Sequence, residues 1–176
     1  MNRIAILALA GLAPFALTAC DKPAPSASAV PGIDRETVAW LLTDAPADAV
    51  TVADIKPTAT EGDTVVLRAR IGGRKDPITP GAGVFVIVDP SVPSCDQIPG
   101  DNCPTPWDYC CEPRESLVAN SATVQLVDAD GNPIQADLTA AGLTPLDEVV
   151  IVGTVAARPS EQVLTIRATG IHKVGG

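Results

Sequence analysis

From position 64 onward, apolar and polar residues alternate in short runs separated by turn residues. Thr64 to Ile71 places Val65, Leu67, Ala69 and Ile71 on one face and Arg68 and Arg70 on the other, the two-residue period of a half-buried strand. Glu61-Gly62-Asp63 predicts a turn before it, and Gly72-Gly73 stops it. Val84 to Val88 is a continuous apolar run between Gly83 and Asp89-Pro90, which suits a strand buried on both faces. Ala122, Val124 and Leu126 alternate again. The sequence Asp128-Ala129-Asp130-Gly131-Asn132 then predicts a hairpin turn rather than a calcium loop, because the other calcium ligands are missing. Val149 to Val155 and Gln162 to Thr169 supply two further strands, the second with Leu164, Ile166 and Ala168 on one face. Ahead of the strands, Asp34 predicts the cap of a short N-terminal helix through Val38, Trp40 and Leu41, ended by Ala45-Pro46. Trp40, Leu41 and Leu42 are expected to cover the domain.

These runs predict an all-β domain over residues 34–176: a small Greek-key barrel of five to six strands with a long insertion at 91–120 and a short N-terminal helix. No repeat or second domain is evident. Glu61 to Ile71 resembles the first strand of OB-fold domains, and Leu146 to Val155 resembles their late strand. The segments Arg70-Ile71-Gly72-Gly73, Ile87-Val88-Asp89-Pro90-Ser91 and Cys103-Pro104-Thr105-Pro106-Trp107-Asp108-Tyr109-Cys110-Cys111-Glu112 resemble a family of exported bacterial OB-fold-like proteins. That resemblance covers nearly all of residues 36–174. It implies an exported barrel, and it implies no chemistry.

The N-terminus changes the picture of where such a barrel resides. Arg3 precedes an apolar run from Ile4 to Leu17, too short for the roughly 20 residues of a membrane span. Leu17-Thr18-Ala19-Cys20 closes it and resembles the bacterial lipobox. Residues 1–19 are therefore expected to be a lipoprotein signal peptide, with Cys20 lipidated on its sulfur and new amino group and anchored in a membrane. Residues 20–33, rich in Pro, Ala and Ser, read as a flexible lipid-attached linker. The expected address is the cell envelope, facing the periplasm. Asp21 bears on the choice of inner or outer membrane, which stays open.

Composition excludes a class of partner. The chain has 12 basic and 21 acidic residues, a net −9, and loss of Arg3 with the leader makes this −10. Counterion release cannot drive such a chain onto nucleic acid, and two Trp, one Tyr and two Phe make a poor stacking platform. Nucleic acid is not an expected partner; the membrane, another envelope protein or a small ligand is. His172 has no evident nucleophile beside it, so no catalytic set is visible and the chain is not read as an enzyme. No cofactor is implied.

The chemistry concentrates in Cys95, Cys103, Cys110 and Cys111. In an oxidising compartment, two disulfides are expected, each of Cys110 and Cys111 pairing with Cys95 or Cys103; the two resulting patterns stay open. The alternative is a zinc or copper site on the same four thiolates, against which stand the absence of a C-x2-C pair and the rarity of adjacent cysteines on one ion. Asp96, Asp101, Asp108 and Glu112 oppose thiolate formation and hence redox work. Trp107 and Tyr109 either pack against the bridges or form a binding surface, with Arg68 and Arg70 on the neighbouring strand face as a candidate anionic-ligand site.

Overall fold

The computed structural model describes residues 39–175. The leader, Cys20, the linker and the start of the expected N-terminal helix lie outside the described residues. At its far end that helix is not formed. Trp40 sits in a turn and Leu41 makes an isolated parallel bridge to Ile171, with Ile171 N donating to Trp40 O at 2.7 Å and Leu42 N to Ile171 O at 2.7 Å. Pairing to a strand edge satisfies this backbone more fully than one helical turn ahead of Pro46, and it carries Trp40 into the core at 2% exposure.

Seven strands follow: β1 (Val50–Thr51), β2 (Thr64–Ile71), β3 (Ile78–Thr79), β4 (Val84–Val88), β5 (Ser121–Leu126), β6 (Glu148–Val155) and β7 (Thr165–Lys173). They lie in the order β1-β2-β6-β7-β5-β4-β3, and the additional β2–β4 pairing through Arg70↔Val88 and Ile71↔Ile87 closes β2, β6, β7, β5 and β4 into a barrel. β5 and β7 run parallel, and the other barrel neighbours run antiparallel. This is a small all-β, OB-like barrel, as the alternation predicts. Its interior is the predicted face of each strand: Leu67, Ala69, Ile71, Phe85, Ile87, Val124, Leu126, Val149, Ile151, Ile166 and Ala168 are all fully buried. Each large aliphatic among them stabilises by about 1.5–3 kcal/mol relative to exposure.

The β4 run is buried more selectively than its unbroken apolarity suggests. Phe85 and Ile87 face inward, while Val84 and Val86 on the outer face are half-buried and only Val88 is fully covered. What covers Val88 is the cysteine insertion.

Closure requires one tight approach. β6 and β7 slip register between Val152 and Gly153, and a Cβ at Gly153 would stand 2.4 Å from Arg167 O and 3.0 Å from Ala168 Cα. Both are backbone atoms that cannot swing aside. Gly153→Ala is accordingly expected to destabilise the barrel by about 1–3 kcal/mol. A thermal melt within error of the parent would refute this.

Two short helices fix the insertion to the barrel. α1 (Val52–Ile55) precedes β2, and α2 (Arg114–Asn120) leads directly into β5. Lys56, 6% exposed, donates from Nζ to Val118 O at 2.5 Å and Ser121 O at 2.6 Å, satisfying carbonyls at the end of α2 that have no helical partner. Burial, and to a lesser degree the charge of Arg158, lowers the pKa of that ammonium.

Candidate functional site: the cysteine insertion

The insertion leaves β4 at Asp89 and returns through α2 at Asn120, where Asp89 N donates to Asn120 O at 2.8 Å. Between these points it makes two 3-10 turns, Cys95–Gln97 and Pro106–Asp108. The first is capped by Ser94, whose amide donates to Gln97 Oε1 at 3.1 Å. The second begins at Thr105, whose hydroxyl donates to Asp108 Oδ2 at 2.7 Å. Tyr109 then takes a left-handed conformation, φ 58° and ψ 37°, which reverses the chain.

That reversal drives the Tyr109 ring into the barrel end. Tyr109 is fully buried, in a small cluster with Val88 and Val92 against which Leu117 packs, separate from the barrel core. Gly72 is the seat: a Cβ there would lie 2.7 Å from Tyr109 Cε2 and 2.7 Å from Trp107 O. Gly73 N donates to Trp107 O at 2.8 Å, and Trp107 Nε1 donates to Lys75 O at 2.8 Å. Tyr109 therefore cannot belong to a binding surface, which corrects that expectation. An aromatic side chain in a polar loop is buried here because its apolar partners come from β4 and α2. Trp107 remains half-exposed.

The four cysteines converge as free thiols. Cys110 Sγ lies 3.5 Å from Cys103 Sγ, 3.7 Å from Cys95 Sγ and 4.0 Å from Cys111 Sγ. Cys95 is buried at 1% exposure, and Cys110 and Cys111 face solvent. Cys111 donates to Asp101 Oδ2 at 2.9 Å. The carboxylate of Asp101 holds the Cys111 thiol proton and pushes its pKa up to about 11, while hydrogen bonds to Cys103 and Cys95 push that of Cys110 higher still. Cys103 goes the other way, its thiolate favoured chiefly by a hydrogen bond from the Thr105 backbone. The expected acidic suppression of thiolates thus acts chiefly at Cys111, through Asp101, whereas at Cys110 the neighbouring cysteines come first and at Cys103 the shift is reversed.

The expected basic site is dispersed. Arg68 pairs with Glu148, Arg70 donates to Gln97 Oε1 at 3.0 Å, and Arg74 donates to Asp76 O at 2.7 Å. These contacts match a solvated strand face tied to its neighbours. Arg70 alone joins the insertion. His172 lies on β7 with Nδ1 3.2 Å from Leu42 O, and the sulfur-centred groups among the described residues contain no histidine. Asp128 accepts from the amides of Asp130 and Asn132 at 2.9 and 2.8 Å, an Asx-type turn.

One signal in the sequence goes beyond those already described. Thr-x-x-Asp recurs at 51–54, 60–63, 105–108 and 144–147, and in each the aspartate accepts from the threonine hydroxyl, at 2.9, 3.0, 2.7 and 3.1 Å. At 51–54 the pair forms a capping box at the start of α1, and at 60–63 and 144–147 the threonine amide also donates to the aspartate. At 105–108 the same spacing aims Asp108 at the cysteines.

Comparison with protein-family models finds no match, and comparison with curated proteins finds none either. Among solved structures, the chain is similar to one described as "a putative aspartyl-tRNA synthetase from Leishmania major Friedlin", with 14% identity and a TM-score of 0.37. The similarity covers 72% of this chain and 20% of that one. Likeness at this level carries no functional argument.

Proposed function

We propose that this chain is a lipid-anchored module of the bacterial cell envelope, in which an OB-like barrel presents its cysteine-clamped insertion to another envelope protein or a small ligand. The observation that supports it is the docking of the insertion. A loop rich in Pro, Asp and Gly would ordinarily have to be ordered on binding. Here Tyr109, Gly72 and the Gly73–Trp107 hydrogen bond hold it before any partner arrives, which lowers the entropy lost on association. Trp107 is left half-exposed, three residues after exposed Pro104, and Arg70 reaches the insertion at Gln97. A rigid aromatic flanked by proline is suited to a binding hot spot.

Two measurements test the reading. Cys20→Ser is expected to move the protein from the membrane to the soluble envelope fraction. A photo-crosslinker placed at Pro104 in cells is expected to give a defined adduct that Trp107→Ala abolishes with the barrel melt unchanged, consistent with a loss of about 2 kcal/mol, roughly 30-fold in affinity. An adduct indifferent to Trp107 would overturn the surface assignment. A metal-binding role for the same loop is favoured by the sulfur cluster around Cys110.

A further inference from the structure

We infer that Cys95, Cys103, Cys110 and the carboxylate of Asp108 form the shell of a single tetrahedral ion of the zinc class, with Cys111 outside it. The inference rests on the reading that the cysteines clamp the insertion, and is independent of any partner at Trp107. The donor atoms of these four side chains all lie within 4.8 Å of one another. Thiolates bound at about 2.3 Å to one ion stand about 3.8 Å apart around a tetrahedron. Cys110 Sγ has Cys103 at 3.5 Å and Cys95 at 3.7 Å. A disulfide joins two sulfurs at about 2.05 Å and leaves a third without a bond. A sulfur placed almost equally from two others is arranged to share an ion with both.

The ligand set also answers the objection raised by the adjacent cysteines. Only one of the pair is used, because the Cys111 thiol turns to Asp101 Oδ2 at 2.9 Å. The fourth position is prepared by the turn at 105–108. Asp108 Oδ2 accepts from Thr105 Oγ1 at 2.7 Å and Oδ1 accepts from Cys110 N at 2.9 Å, so the carboxylate is oriented by two donors outside the shell. The left-handed Tyr109 between them turns Cys110 back to the side of Asp108. Asp-x-Cys can then ligate one ion from both ends of the reversal. Binding balances simply: three thiols each release a proton to solvent as three sulfur–metal bonds form, and the ionised carboxylate adds the fourth.

The test uses the full chain extracted from membranes in mild detergent without reductant, and reads bound metal by native mass spectrometry and free thiols by titration. One zinc per chain is expected, with the exposed Cys111 thiol open to titration from the start and three further thiols that react only after a chelator is added. Cobalt replacing the zinc should give the intense visible bands of a tetrahedral thiolate site. Cys95→Ser, Cys110→Ser and Asp108→Asn should lose stoichiometric zinc, whereas Cys111→Ser should keep it; near-ultraviolet dichroism from buried Trp40 checks that each variant is folded. A metal-free chain four hydrogens lighter than its composition would show two disulfides and overturn the inference. Loss of zinc in Cys111→Ser equal to that in Cys110→Ser would also overturn it. A metal-free protein whose Pro104 adduct still depends on Trp107 would end the zinc site and leave the interaction reading standing. A zinc-bound protein whose adduct ignores Trp107 would do the reverse.

Discussion

Replacing Tyr109 with alanine is expected to open the insertion while the barrel stays folded. The ring is fully buried, and its neighbours Val88, Val92 and Leu117 form a cluster separate from the barrel interior. Truncating a buried aromatic costs about 3–5 kcal/mol, which is more than a satellite cluster of this size can lose and remain closed. Limited proteolysis should then cut within 91–120, while the cooperative melt of the barrel survives. A variant as resistant as the parent would refute the role assigned to the ring. Tyr109→Phe should behave oppositely. The phenol oxygen completes no hydrogen bond in its buried seat, and burial pushes its pKa up against the opposing pull of the nearby Arg70 guanidinium. The cost of an incompletely paired hydroxyl and the favourable proximity of Arg70 oppose each other, so phenylalanine is expected to keep the insertion closed with stability within about 1 kcal/mol of the parent.

Asp89→Asn is expected to destabilise the domain by about 2–3 kcal/mol at neutral pH, and by progressively less in acid. Asp89 is 1% exposed and accepts from Ala53 N at 2.7 Å and Ser91 N at 2.9 Å, tying α1 to the point where the insertion leaves β4. Burial acts to raise its pKa, but those amides, with the hydroxyls of Thr51 and Ser91, more than offset it and hold the carboxyl below the ordinary carboxylate range. A pKa depressed in the folded state contributes stability that is complete above the unfolded value of about 3.9 and lost as pH falls through the folded one. Parent and variant should therefore converge below about pH 4 in chemical denaturation. A difference that is flat from pH 7 to pH 3 would show that the carboxylate charge is not what matters.

The barrel was legible because a strand buried on one face writes its orientation into every second residue. Val65, Leu67, Ala69 and Ile71 all point inward as alternation requires, and the turn at Glu61-Gly62-Asp63 and the stop at Gly72-Gly73 stand where they are expected. The insertion was legible only as a cluster of cysteines. Its order comes from contacts across the fold: Tyr109 is surrounded by polar neighbours in sequence and by Val88, Val92 and Gly72 in space. Gly72 reads as a strand breaker and serves as well as a seat for a ring. Trp40 and Leu41 stand at the end of the expected helix, but there the edge of β7 at Ile171 takes their backbone hydrogen bonds instead. The Thr-x-x-Asp turns were within reach of the sequence, since all their partners are three residues apart.

The insertion leaves and re-enters the ladder at a single rung, because Val88 and Ser121 are paired with each other. Whatever length of chain lies between them, the register of β4 with β5 is set by Val84↔Gln125 through Val88↔Ser121 and does not have to move. Lengthening such an excursion adds loop-closure entropy only logarithmically. The barrel can thus hold its geometry while the excursion is rewritten by mutation, and descendants of one scaffold can carry different cassettes at this rung, or none.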